Sequence, residues 1–213
     1  MDTSGDLFHL TEGALAYAGH YEHDHASPLH SHSFVEIAFV VSGGGTHHSQ
    51  TGRQELRVGD VLLLRPGAWH GYEDCRRLVL YNCCFSGDLL RRELSWTRDD
   101  PLLGYLLWTG PYSAQGRGIL STHLDPASLE QCQAHLAALD ALRHSPVTQH
   151  RGDIVGRLAL LFSNLGRAVL IGLVPVAALA HALSMPLLYA VALGAGVLTV
   201  LFDVVDCAAF PPV

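Results

Sequence analysis

The chain has no lysine. All thirteen of its basic residues are arginine, and its net charge is −7. Charged side chains make up 15% of the 213 residues, below the roughly 25% of an ordinary soluble domain. A chain this poor in cations has no global electrostatic case for nucleic-acid binding. The lack of lysine reads as compositional bias, not as function. The five cysteines, Cys75, Cys83, Cys84, Cys132 and Cys207, are odd in number, and none pairs at zinc-finger spacing. Cys83 and Cys84 are adjacent, so on a strand they point to opposite faces. That leaves reduced thiols acting as small buried hydrophobes. Residues 1–6, Met-Asp-Thr-Ser-Gly-Asp, lack the basic region and apolar run of a secretory signal. The expectation is a cytoplasmic protein with a disordered, polar start.

What the chain does have is a histidine-rich centre. Residues 30–36 read His-Ser-His-Ser-Phe-Val-Glu, and residues 59–70 read Gly-Asp-Val-Leu-Leu-Leu-Arg-Pro-Gly-Ala-Trp-His. Alternate residues of a strand share a face, so extended pairing over this stretch groups His30, His32, Phe34 and Glu36. Imidazoles and a carboxylate on one face are costly to bury unless they bind something or one another. His70 follows the Pro66-Gly67 turn and can reach back to them.

The surrounding chain predicts short strands at regular spacing: 15–21, 34–41, 46–50, 54–58, 60–64 and 77–85. Ser42-Gly43-Gly44-Gly45 is expected to turn, and residues 51–53 to close a hairpin. Pro28 fits a strand start, and residues 22–25 a polar loop whose His23 and His25 are outside candidates for the site. Both faces of 34–41 are apolar, so this strand is covered on both sides. Residues 89–94 start a short helix. Asp125-Pro126 then offers a helix N-cap followed by proline at the first position. Leu129, Cys132, Leu136 and Leu139 recur at helical spacing up to Ser145-Pro146. A second helix from about Thr148 carries Ile154, Leu158, Leu161 and Leu165.

The spacing His30-x-His32-x3-Glu36-x6-Gly43, followed by Gly59-Asp60, Pro66-Gly67 and His70, resembles the two cupin motifs. The wording "HSHSFVEIAFVVSGGGTHH" and "LRVGDVLLLRPGAWHGY" is similar to the sensing domain of AraC-type transcription regulators over about residues 8–165. The resemblance implies a mainly β fold: a cupin jelly-roll barrel at 8–120, then a helical pair at 121–166 through which the family dimerises. It implies an organic effector, no catalysis and no cofactor. Leu136, Leu139, Leu158 and Leu161 are expected near the helix contact, where exposed leucines would mark a homodimer surface. Packing of both stripes on the barrel is the alternative.

Residues 168–202 contain no charged side chain. Two runs, 168–183 and 186–202, are interrupted at Ser184-Met185-Pro186, and each falls a little short of the ~20 residues that span a bilayer. The expectation for 167–213 is a hydrophobic helical hairpin with possible membrane association. Its wording is similar to a two-helix fragment of major-facilitator permeases. Two helices cannot form a transport site, so no transport is assigned. No helix-turn-helix reads out of this segment, and residues 168–213 contain no arginine or lysine to meet phosphates. No operator binding is therefore expected from this chain. A rearranged gene or a membrane-tethered sensor would each read this way.

Three readings stay open for His30, His32, Glu36 and His70. They suit a divalent metal such as zinc, iron, nickel or manganese, which would fit a cupin dioxygenase or isomerase. They equally suit hydrogen bonding to an organic effector. They could also satisfy one another. Trp69, able to stack on a sugar face, and Arg65, able to pair a carboxylate, are further ligand candidates, as are His47 and Tyr72.

Overall fold

The structure, a computed structural model, describes residues 16–113, 117–142 and 147–209. The expectations for residues 1–6 and for Ser145-Pro146 lie outside the described residues.

Two long strands organise the sheet. β3 (Val35–Ser49) and β6 (His70–Phe85) run antiparallel along most of their length. On its other edge β3 pairs first with β5 (Asp60–Leu64) and then with β4 (Gly52–Arg57). β6 likewise pairs with β1 (Ala16–His23) and with β2 (Ser27–His30). β7 (Ile119–His123) completes the sheet beside β5. Every pairing is antiparallel, and the architecture is a cupin-type jelly-roll barrel followed by helices.

The glycine run at 43–45 does not turn the chain. It lies inside β3, at a series of register shifts against β6 between Val40 and Thr46. Gly43 takes φ +68°, and a Cβ there would lie 2.0 Å from the Arg77 carbonyl oxygen. Asp74 and Arg77 of β6 also adopt positive φ. The glycines therefore make a bulge that bends a continuous strand and lets it serve two partners. Similarly, β1 continues through Glu22 and His23, which pair with Val79 and Leu78. β6 begins at His70 rather than at residue 77. β5 falls at the expected residues.

Alternation divides the strands between two cores. Ile37, Phe39, Leu63, Cys83 and Phe85 face the helices; Ala38, Val40, Leu62, Leu64 and Leu80 face the barrel interior. Cys83 and Cys84 do lie on opposite faces, and Cys75, Cys83, Cys84 and Cys132 are free. Burial pushes the Cys83 and Cys132 thiols up to about 12, as expected of packing residues.

α1 (Gly87–Glu93) is capped by Ser86, whose Oγ accepts from the Leu89 amide. α2 (Pro101–Gly104) continues into a π-turn and a 3-10 turn ending at Tyr112. Asp125 caps α3 (Pro126–Leu142), accepting from the Ala127 and Ser128 amides at 3.0 and 3.1 Å. α3 and α4 (Val147–Leu179) run antiparallel, with Gln131 meeting Arg167. Leu136, Leu139, Leu158 and Leu161 are buried in the core shared with the sheet. They pack the barrel's outer face, so they are not the exposed dimer surface the sequence suggested.

The expected boundaries at 120/121 and 166/167 do not fall between elements. β7 crosses the first and α4 the second. α4 continues past Pro175, the chain breaks over residues 180–184, and α5 (Met185–Ala209) returns antiparallel along it. Among the described residues one helix, His150–Leu179, is long and apolar enough to cross a membrane, but about half of its apolar window is buried inside the fold (53%).

Candidate functional site

Glu36 enters the barrel interior because it shares a strand face with Ala38 and Val40, opposite Ile37 and Phe39. Its strand partner on β6 is Cys84 and on β5 Leu64. The carboxylate is buried, and imidazoles surround it. His32 Nε2 lies 2.8 Å from Glu36 Oε2, and His70 Nε2 lies 3.7 Å from the same oxygen. His32 precedes β3, and its Nδ1 stands 2.9 Å from the Phe34 carbonyl oxygen. Its ring stacks on Phe34 at 4.2 Å. His70 opens β6, paired with Ser49 on one side and His30 on the other.

His30 is not on one strand face with His32 and Glu36, because β2 ends at His30 and the chain bends before β3. It is half-buried; its Nδ1 meets the Pro28 carbonyl oxygen, and its ring lies 4.4 Å from that of His70. Three of the four expected residues therefore converge. His32, Glu36 and His70 each bring one ligand atom within 4.8 Å of the others, and His30 stands beside them.

The surroundings add polar groups. His47 is buried on β3, with its ring 5.7 Å from His70 and 5.5 Å from Tyr72. His23 comes within 5.2 Å of the Tyr72 ring, while His25 stays exposed. Asn82, which the sequence reading missed, lies on the same face of β6 as Cys84. A lone amide in the apolar alternation Leu80, Asn82, Cys84 was the available signal. The His47 Nε2, both His70 ring nitrogens, the Tyr72 hydroxyl and the Asn82 Oδ1 are buried without hydrogen-bond partners. So many orphaned polar atoms inside one barrel are costly unless something fills the gap.

Burial alone would push the Glu36 carboxyl up. The hydrogen bond with His32 and the field of the His70, His32 and His30 imidazoles reverse this and hold it below its ordinary value. Burial carries His70 down to about 3 and His47 to about 4, against the smaller upward pull of Glu36. The set at neutral pH is a buried carboxylate with neutral His47 and His70.

Trp69 and Arg65 do not join it. Trp69 is 38% exposed and meets His48 edge-on, on the opposite side of the strand from His47. Arg65 donates to the Pro66 carbonyl oxygen at 3.3 Å and lies over the Tyr112 ring. A separate groove of about 680 Å³, lined by Gly43, Gln54, Glu55, Arg57, Asp60 and Arg76 among others, shares no residue with the imidazole set.

The model of the AraC-like ligand binding domain matches residues 12–170. The HTH-type transcriptional activator RhaR of Escherichia coli K12 is 29% identical over 91 residues, 43% of this chain and 32% of that protein. RhaR of Enterobacter sp. strain 638 is 28% identical over 96 residues, 45% of this chain and 34% of its own length. The match thus spans about a third of these curated relatives. Among solved structures, an apo ToxT variant from Vibrio cholerae aligns with TM-score 0.45 at 9% identity, over 71% of this chain and 54% of that one. An RmlC-like cupin from Shewanella frigidimarina aligns with TM-score 0.32 at 20% identity, over 34% and 68%.

Proposed function

The chain belongs to the AraC-like ligand binding domain family, and on that premise we propose that its barrel senses a small organic effector around Glu36, His32, His70, His47 and Tyr72. The observation that carries this is the buried Glu36 carboxylate facing polar atoms that lack partners. Such a lining offers one strong acceptor and several groups that either donate or accept. Arg65, the arginine the sequence offers to a carboxylate, is instead held by Pro66 and Tyr112. An anionic effector would meet Glu36 without that counter-charge. The lining favours an uncharged ligand carrying several hydroxyl groups. The domain acts by binding and not by catalysis. The regions 8–120, 121–166 and 167–213 then serve, as approximate spans sharing β7 and α4 across their bounds, as sensor, helical pair and apolar tail of a cytoplasmic protein.

A thermal-shift screen of chelator-treated protein with monosaccharides and polyols, against carboxylates of similar size, tests this. An uncharged hydroxylated compound should raise the melting temperature, and Glu36→Gln should abolish the shift. A response confined to carboxylates, surviving Glu36→Gln, sinks the reading.

A second reading follows from the His32, Glu36 and His70 atoms. Two imidazoles and a carboxylate are a donor set for zinc or ferrous iron. His32 fits this chemistry: its Nδ1 faces a carbonyl oxygen, which only accepts and so keeps a proton on Nδ1, leaving Nε2, the atom turned toward Glu36, as the one that would bind a metal. Elemental analysis of the protein as purified separates the readings. Stoichiometric metal lost on His32→Ala would favour a metal-dependent cupin.

Dimerisation through the outer faces of α3 and α4 is proposed from the family alone, and light scattering tests it; a strictly monomeric particle rejects it. Absence of operator binding is proposed from the cation-free sequence after Arg167, with a salt-sensitive specific gel shift as the opposing result. The apolar tail is proposed to associate with membrane.

A further inference from the structure

The far end of the α4–α5 hairpin stands clear of the rest of the molecule. Gly166 of α4 packs against Leu198 of α5, and Leu170 against Gly194. These pairs fix the antiparallel register and set Arg167 level with about residue 197. Up to that level α4 is buried against the barrel and α2, with Gly166 also touching Leu102 and Leu103. Beyond it the two helices pack mainly on each other, and most of their apolar side chains become exposed.

Exposure there is apolar and not confined to one stripe. Leu179 is 82% exposed, Leu193 72% and Tyr189 68%, and Ile171, Leu173 and Met185 are exposed too. A Cβ on Gly172 or Gly196 would meet nothing within 4 Å. Of the projecting α5 residues, Val191 is buried, against α4. A protein partner covers one face of a helix pair, whereas acyl chains solvate every face.

The turn at the tip is internally satisfied. His181 N donates to the Ala178 carbonyl at 3.1 Å, and Ala182 N to the Ala177 carbonyl at 2.8 Å. Ser184 closes the start of α5: its carbonyl accepts from Leu188 N and its Oγ from Leu187 N. Satisfying backbone groups within the segment is what a hydrocarbon medium demands. No side chain between 168 and 202 is charged.

Length decides the mode of contact. About twelve residues of each helix project past Arg167, roughly 18 Å at ~1.5 Å per residue. A bilayer's hydrocarbon core is roughly 30 Å thick, so the projection matches one leaflet. We propose that this hairpin tip inserts into the acyl layer of a single leaflet, without crossing the bilayer, and recognises hydrocarbon instead of headgroup charge. The inference rests on the membrane reading of the tail given above.

The test is vesicle flotation of the full chain. Binding to pure phosphatidylcholine vesicles is expected, unchanged by added phosphatidylserine or by high salt. His181→Asp, at a tip position whose φ of +54° aspartate tolerates, and Leu193→Glu, at an exposed site, should each reduce binding about tenfold or more. Circular dichroism should show both variants folded. A fluorophore on Ala182→Cys, read above the signal of the unsubstituted chain, should be quenched best by lipids spin-labelled near the chain end. It should be out of reach of an aqueous quencher sealed inside the vesicles. Binding only to anionic vesicles, or quenching from the lumen, overturns single-leaflet insertion while leaving membrane association intact. No flotation at all, with a discrete dimer in solution that Leu193→Glu dissociates, overturns both and assigns the face to a second copy.

Discussion

His32 and Glu36 meet with Nε2 and Oε2 2.8 Å apart, while the other nitrogen of His32 faces the Phe34 carbonyl oxygen at 2.9 Å. The carbonyl holds a proton on Nδ1, so the contact with Glu36 needs either a second proton on the ring or a cation between the two groups. Removing the carboxylate while keeping its shape tests that relationship. In chelator-treated protein, Glu36→Gln should stay within about 1 kcal/mol of the parent, since its amide can donate to Nε2. Glu36→Ala should cost about 3 kcal/mol by leaving His32 buried and unpaired. Urea unfolding curves of the two variants measure the difference; equal losses would show that the pair is not coupled.

The depressed His70 and His47 values, about 3 and about 4, give the metal-free barrel an acid-sensitive stability. Between those values and about 6.5 the unfolded chain binds protons that these imidazoles refuse in the folded state. Their contribution is complete above about pH 6.5 and is lost as pH falls toward 4. Each histidine contributes a slope of up to about 1.4 kcal/mol per pH unit in that window. His47→Gln should flatten the dependence of unfolding free energy on pH between 4 and 6.5, measured by denaturant titration. An unchanged slope would place the sensitivity elsewhere.

Much of the fold was legible because its signals are local. The apolar run 61–64 after Gly59-Asp60 and the Asp125-Pro126 cap appear where the residues alone put them, and a helix break does precede Pro186, although it spans residues 180–184 and α5 takes in Met185 and Pro186. The glycine run misled, because three glycines read as a turn unless one knows that β6 lies alongside and Arg77 crowds Gly43. The same long-range packing decided the site. Glu36, His32 and His70 come together as the motif spacing suggests. Neighbouring positions separate according to face: Trp69 turns away from His70, and His48 from His47. The leucine stripes of α3 and α4 gave the right helices, but period alone cannot say whether a stripe packs inward or on a second chain.

The bulge in β3 predicts unequal tolerance among its glycines. Gly43→Ala would force a methyl to within 2.0 Å of the Arg77 carbonyl at φ +68°. A loss of about 3 kcal/mol or more is expected, from strain plus displacement of β6. Gly52 also has positive φ (+111°), but a Cβ there meets nothing within 4 Å, so Gly52→Ala should cost only about 1–2 kcal/mol. Thermal melts rank the two, and a reversed order would mean that the bulge yields easily.

Asp60 closes the sheet at the start of β5. Its Oδ2 accepts from Arg57 N at 2.9 Å, and its Oδ1 meets His123 Nδ1, the last residue of β7, at 2.7 Å. One carboxylate thus fixes both the β4–β5 turn and the edge strand from which the chain leaves for α3. Asp60 is buried while His123 is half exposed, so the two sides of the contact should respond differently. Asp60→Ala leaves the Arg57 amide unpaired and should cost about 2 kcal/mol. Asp60→Asn keeps an acceptor and should recover part of that loss. His123→Ala removes a contact that water can replace and should cost under about 1 kcal/mol. Hydrogen exchange gives the sharper readout: amides of β7 should lose protection in Asp60→Ala, while those of β1, on the far edge of the sheet, should not. Uniform loss across the sheet would show that Asp60 supports global stability and not this edge.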